Sequence, residues 1–418
     1  MPKIVPGLLV TAIGLVVVAC GSQPVAPGPA ATPLRKPVTA VPTFAESLLL
    51  ARLRMISPQT GWAVAAPGGK GLGHLVRTTD GGAHWEAIRL PAGLNTPNID
   101  AVDFHDAMQA WVLVVLGAES TASRELAVVA STADGGRRWS TTPKFSIDGH
   151  GSGIQFIDAG HGWVFATPGA GGAIGAGDTT LYRTGDGGQH WQAIKPASEV
   201  RGAPAVFAGL PEACPMGGPI GQPVFTDSQT GWLGAFCQQP FFYVTHDGGH
   251  GWSRQNVPAF PGSPPSSAEL PYLQYYVDSL QRLSPTDVVV FFHRGVTTGA
   301  NALQAAAIYL THDGGNSWTA MRLPYAELAA NFVDPMHGWM IAAGPGGNTE
   351  QRSLYSTVDG GREWRLADGP HDYFGPELNF VDTTTGFIAA GTVSGQPATL
   401  LRTTDAGSTW AHVASVIN

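Results

Sequence analysis

Cysteine, charge and helix-forming runs are what this chain has least of. Three cysteines in 418 residues exclude the disulfide-dense scaffolds of small exported domains, which need several bridges because their cores are small. Charged residues make up only 13%, and the balance of 23 Lys and Arg against 31 Asp and Glu leaves a net charge of −8. No run of like sign interrupts that balance. A nucleic-acid partner needs clustered Lys and Arg against its phosphates, so none is expected. Charged and long-chain helix formers are scarce, whereas 55 Gly and 33 Pro are present. That composition belongs to many short strands joined by turns.

The N-terminus carries Lys3, then a largely apolar run over 4–19, then Cys20. The run is short for a membrane span and suits the apolar centre of a secretory signal. Val17-Val18-Ala19-Cys20 resembles a bacterial lipobox, in which cleavage leaves the cysteine as a lipidated N-terminus. Residues 1–19 are therefore expected to be a lipoprotein signal peptide. Residues 20–43, rich in Pro and Ala, should form a tether of polyproline character. The folded part, 44–418, is expected outside the cytoplasm, anchored to the membrane through Cys20. The two remaining cysteines, Cys214 and Cys237, are most simply a disulfide in an exported protein, and too few for a metal site.

One motif organises the rest. Thr78-Thr-Asp80-Gly-Gly-Ala-His-Trp85 recurs as T-x-D-x-G-x-x-W around Asp134, Asp186, Asp247, Asp313, Asp359 and Asp405. Successive Asp residues lie 54, 52, 61, 66, 46 and 46 residues apart, a period that points to a propeller or solenoid. Upstream of each copy stands an apolar run and a short polar turn, followed in four units by Gly-Trp, as in Phe156-Ile-Asp158 before Gly162-Trp163; the second unit has Ala110-Trp111, the seventh Gly386-Phe387, and the fifth runs into Val288 and Val289 with no Trp. Each unit reads as four strands. A single four-stranded sheet cannot cover both its faces, but seven arranged in a ring can. The prediction is an all-β, seven-bladed β-propeller of four-stranded antiparallel blades, at about 48–90, 98–144, 152–195, 220–257, 277–323, 328–367 and 377–417. Ring closure is left open between side-chain packing and an exchanged strand at 43–49.

The motif chemistry fits a hairpin turn. The Asp carboxylate accepts backbone amides, the Gly pair supplies positive φ, and the Thr hydroxyl ties the other end. The Trp plugs the sheet interface. All 12 tryptophans fall in the motif (Trp85, Trp139, Trp191, Trp252, Trp318, Trp364, Trp410) or after the upstream Gly or Ala, so each has a role at the level of the repeat. Only Ala406 breaks the Gly pair.

These residues resemble the Asp-box, or bacterial neuraminidase repeat. With Gly-Trp beside Thr-x-Asp-Gly-Gly-x-x-Trp, they look most like the propeller family of photosystem II assembly and stability factors and their bacterial lipoprotein relatives. The resemblance implies that the seven box Asp are structural and lie outside any active site. It also implies an assembly or binding scaffold, with a protein partner or an extracellular glycan or peptide. The alternatives are a sialidase-like glycoside hydrolase and a carbohydrate-binding, receptor-like propeller. A sialidase needs an arginine triad, a Tyr nucleophile and an acid/base, and the early arginine signature is missing. Phe-x-Asp recurs at five strand ends, which argues for turn capping rather than catalysis. No catalytic residue, cofactor or metal is expected.

Binding residues tend to sit on variable loops of a regular scaffold. Length variation collects between the second and third strands of each unit and between units, so that face is the predicted one. Its candidates are Arg201, Tyr272, Tyr275, Tyr276, His293, Arg294, His371, Asp372 and Tyr373. The Gly-rich stretch 168–177 lacks the Lys-Ser/Thr of a phosphate loop, and His246 and His250, on a hairpin, do not converge on a metal.

Overall fold

The chain divides into Met1–Pro42 and Thr43–Asn418. In the computed structural model the described residues are 48–67, 73–94, 99–118, 124–167, 180–194, 218–262, 264, 273–296, 303–343, 351–371, 374–375, 377–390 and 399–417. The stretches expected to be signal peptide and tether, Cys20, Cys214 and the Gly-rich stretch lie outside them.

Among the described residues every regular element is a strand. The first meander comprises β1 (Leu48–Met55), β2 (Gly61–Pro67), β3 (His74–Thr78) and β4 (His84–Ala87), and the second β5 (Ile99–Phe104), β6 (Ala110–Ala118), β7 (Arg124–Thr132) and β8 (Ser140–Thr141). β9 (Phe145–Asp148) is an extra strand that pairs with β7. The third holds β10 (His150–Phe156), β11 (Gly162–Thr167), β12 (Thr180–Thr184) and β13 (Gln192–Ile194), and the fourth β14 (Gly218–Phe225), β15 (Gly231–Cys237), β16 (Phe242–Thr245) and β17 (Ser253–Gln255). The fifth is built from β18 (Leu273–Arg282), β19 (Val288–Val296), β20 (Leu303–Thr311) and β21 (Thr319–Arg322). β22 (Glu327–Phe332), β23 (Gly338–Ala343), β24 (Arg352–Thr357) and β25 (Arg365–His371) form the sixth. β26 (Glu377–Phe380), β27 (Gly386–Ala390), β28 (Thr399–Thr403) and β29 (Ala411–Val413) form the seventh. Within each meander, neighbouring strands pair antiparallel. β15 and β18 also pair, joining the fourth and fifth into one sheet.

The last strand, β30 (Val416–Ile417), runs parallel to β4, setting Val416 opposite His84 and Ile417 opposite Trp85. Ser415 Oγ donates to the Gly82 carbonyl at 2.7 Å beside it. The final strand is thus held on the outer strand of the first meander, and it adds to side-chain packing between the first and seventh meanders, where Leu50, Leu53, Met55 and Trp85 share a core with Phe387, Ala389 and Leu400.

The box is the same lock in all seven copies. The Thr hydroxyl donates to Asp Oδ1 at 2.8–3.0 Å. Asp Oδ1 also accepts the amide four residues on, at 2.8–3.0 Å. The Thr oxygen accepts the second Gly amide at 2.8–3.0 Å. The amide just after the Asp donates to a carbonyl of the preceding turn of the same meander, at 2.8–3.0 Å. These bonds to the ionised form favour it. They hold the Asp186 and Asp313 carboxyls down at about 2, through His190 and Ser317 respectively. The first position after the Asp has positive φ throughout, so Ala406 sits at φ 60° where the other copies have Gly. Replacing buried Thr245 by Val should cost about 1–3 kcal/mol in a urea melt, because the Gly249 amide loses its acceptor in a dry site. A change within error would show that the turn does not depend on the hydroxyl.

Packing between meanders rests on aromatic stacks. The Trp of one second strand lies flat on the Phe ending the next meander's first strand: Trp62 on Phe104, Trp111 on Phe156, Trp163 on Phe225 and Trp339 on Phe380, with centroids 3.7–5.7 Å apart. The Gly that opens the second strand lies in close approach to the strand-end Phe of its own meander, although the second meander accommodates Ala110 there, opposite Phe104. A Cβ at Gly162 would stand 2.5 Å from the Phe156 ring, and Gly231, Gly338 and Gly386 face their own Phe in the same way. In the fifth meander Arg282 takes the Phe position, opposite Val288, and there the Gly is not needed. Of the box tryptophans, Trp85, Trp252 and Trp318 are buried, and Trp139, Trp191, Trp364 and Trp410 half-buried.

Candidate functional site

The ends of all seven first strands converge on one cavity of about 720 Å³. Its wall begins with the residue that precedes the strand-end Phe or its substitute. In chain order these are Arg54, Asp103, Gln155, Val224, Gln281, Asn331 and Asn379. Six of the seven are polar. That pattern is legible in the sequence once the repeats are aligned on Phe, although apolar periodicity alone does not show it.

Most of these side chains tie one meander to the next. The Phe156 amide donates to Asp103 Oδ2 at 2.6 Å, Phe225 to Gln155 Oε1 at 2.8 Å, and Phe332 to Gln281 Oε1 at 3.0 Å. Phe380 donates to Asn331 Oδ1 at 2.8 Å, and Met55 to Asn379 Oδ1 at 2.6 Å, the last passing from the seventh meander to the first. Each tie satisfies a backbone amide that the neighbouring sheet leaves unpaired, which a buried edge requires. Val224 cannot make one, and there the direct β15 to β18 pairing joins the two meanders instead. Arg54 does not make one either. The first and second meanders meet through Arg52, whose Nη2 donates to the Asp100 carbonyl at 2.6 Å.

The charges in the cavity are unevenly matched. Among the described residues Asp103 is the one acidic residue in its wall, against Arg54, Arg282 and His105. Burial pushes the Asp103 carboxyl up, and the Phe156 amide and the charges of Arg54, His105 and Arg282 pull against that rise. Both arginines are exposed. Among the described residues neither guanidinium has a hydrogen-bond or ion-pair partner.

The carboxylates of Asp106, Asp158, Asp227, Asp334 and Asp382, at the Phe-x-Asp ends, each accept two backbone amides of their own turn at 2.6–2.8 Å. They cap turns. Among the described residues no group of three or more His, Cys, Asp or Glu could hold a metal ion. His250 Nδ1 lies 2.9 Å from the Asp247 carbonyl.

The predicted binding-face residues do not form one exposed loop cluster. Arg201, Tyr272, Asp372 and Tyr373 lie outside the described residues. Tyr275, Tyr276, His293 and Arg294 belong to strands, because β18 and β19 run long where β18 also pairs with β15. Tyr275 and His293 are buried. His293 Nε2 meets Glu327 Oε1 at 2.8 Å, and its Nδ1 lies 3.2 Å from the Tyr276 hydroxyl. Burial, with the charges of Asp278 and Glu327, pushes the Tyr276 phenol up to about 12. Arg294 lies over the Phe260 ring at 5.3 Å. His371 ends strand β25, with Asp368 at 3.1 Å. Cys237 is disulfide-bonded, its partner outside the described residues. The cavity lies at the face of the box turns, opposite the predicted one, because the first strands converge at that end.

Residues 315–416 match the family model of the photosynthesis system II assembly factor YCF48, so the likeness read from the motifs is found again in the sixth and seventh meanders. No curated protein matches the chain in sequence. Among solved structures, YCF48 bound to a D1 peptide is 20% identical over 86% of this chain and 94% of its own, with a TM-score of 0.47. YCF48 from Cyanidioschyzon merolae is 16% identical over 87% and 97%, also at 0.47. The GH74 xyloglucanase from Xanthomonas campestris is 14% identical over 86% of this chain and 52% of its own, at 0.50. At these identities the likeness is one of fold.

Proposed function

We infer that this chain, similar in its last two repeats to the photosystem II assembly-factor propellers, is a seven-bladed propeller that serves as a non-catalytic, protein-binding scaffold. We read it as an exported lipoprotein held on the outer face of the membrane through Cys20. One observation carries the scaffold reading. Among the described residues the cavity where all seven meanders meet holds a single carboxylate, Asp103, and that group accepts the Phe156 amide. A glycosidase needs two carboxyl groups about 5–9.5 Å apart across the scissile bond. The ties from Asn379 to Met55 and from β30 to β4 support a ring closed between the seventh and first blades.

The test uses the full chain and a photo-crosslinking residue placed at Ser284 on the cavity mouth or, as control, at exposed Leu366. A scaffold gives one discrete protein adduct from the first position and none from the second, and loses it when Cys20→Ala releases the chain from the membrane. Hydrolysis of any glycoside in a panel, abolished by Asp103→Asn, would overturn this reading.

A further inference from the structure

We propose that the axial cavity is a binding site for a carboxylate group, held between the guanidiniums of Arg54 and Arg282. The two arginines are the places where the repeat departs from its own rule at this wall. The position of Arg282 holds Phe in five other meanders and Met in the remaining one, where it packs on the neighbouring sheet. The position of Arg54 holds a tie to the next meander in five of the others. In both cases a residue with a structural task is replaced by a cation that has none, and both cations face the same space. Departures from local consistency concentrate where function needs them.

The alternative task, neutralising Asp103, does not account for the pair. Asp103 Oδ2 is engaged by the Phe156 amide at 2.6 Å, and among the described residues neither arginine forms an ion pair with it. Two guanidiniums against one carboxylate leave one positive charge in excess. A singly charged anion balances that excess, whereas a phosphate dianion would leave a net negative charge in the cavity. Carboxylate also matches the planar fork of arginine, which binds it through two parallel hydrogen bonds. The carboxylate could be that of a free organic acid or of a polypeptide chain end, and the cavity has room for either. The site does not rest on the scaffold reading: carboxylate binding by a chain that gives no protein adduct at Ser284 would leave the site standing and that reading overturned.

Calorimetric titration of the full chain in detergent distinguishes these cases, with four probes: acetyl-triglycine as the free acid, its C-terminal amide, acetate and inorganic phosphate. At least one carboxylate probe should bind at least tenfold more tightly than both the amide and phosphate. Arg54→Gln and Arg282→Gln should each weaken it by at least tenfold while leaving the melting temperature within about 2 °C, since both side chains are exposed. Tighter binding of the peptide acid assigns the site to a chain end, and tighter binding of acetate to a small acid. Equal binding of acid and amide, phosphate binding as tight as the acids, no binding at millimolar concentrations, or full affinity in both variants would overturn the proposal.

Discussion

Replacing Trp163 by alanine should destabilise the protein by about 3–5 kcal/mol, in the range of large buried aromatics truncated in a core. Trp163 is fully buried. Its ring lies 3.8 Å from that of Phe225 and within 5° of parallel, and its Nε1 donates to the Gly248 carbonyl at 3.1 Å. The residue therefore joins the third meander to the fourth twice, once by stacking and once to the backbone of the neighbouring box. Alanine would leave a void between two sheets that cannot close independently, since each is also held by its other neighbour. Trp163→Phe keeps most of the stack and gives up the hydrogen bond, so its loss should be clearly smaller. Urea denaturation of the three proteins measures the difference. A loss below 1 kcal/mol for the alanine variant would mean that the two sheets do not meet as described.

The second large effect belongs to the pair of His293 on β19 and Glu327 on β22, in neighbouring meanders. Their side chains are 4% and 3% exposed, and their closest atoms are 2.8 Å apart. Removing one member of such a pair leaves the other buried and uncompensated, which typically costs about 3–5 kcal/mol. Glu327→Ala is expected in that range. Burial pulls the His293 imidazolium down, but the hydrogen bond and charge of Glu327, with Asp278 behind them, outweigh it, so its pKa stands above the ordinary value. A raised folded-state pKa contributes stability that is complete below the unfolded value, about 6.5, and is lost as pH rises through the folded value. The wild-type protein should therefore lose stability between pH 6 and pH 9, and Glu327→Ala should lose much less over that interval. Tyr276, held at about 12, stays protonated throughout. Parallel pH slopes in the two proteins would show that the histidine is not charged in the fold.

How far the sequence reaches can be seen at particular residues. The box turns were legible because the Thr and Asp side chains bond to each other and to amides inside the same eight-residue motif. Ala406 was visible as an exception before its φ of 60° gave the exception a conformation. His293 was legible as a polar residue among apolar ones, and was placed at a loop rim. Its partner Glu327 comes from the next repeat, and nothing local announces that they meet. The absence of Gly-Trp in the fifth unit was visible as well. Its cause, the substitution of Arg282 for the Phe that would lie across that Gly, needed the register of β18 against β19.

By itself, then, the sequence determined the β class, the repeat and the locked turn, since all three follow from interactions between residues close along the chain. Tertiary structure alone decided that five polar side chains tie consecutive meanders around the cavity and that the last strand seats on β4. It also decided that Arg54 and Arg282 face one space near Asp103. Those facts depend on residues from different repeats, some of them more than two hundred positions apart, meeting where the first strands converge.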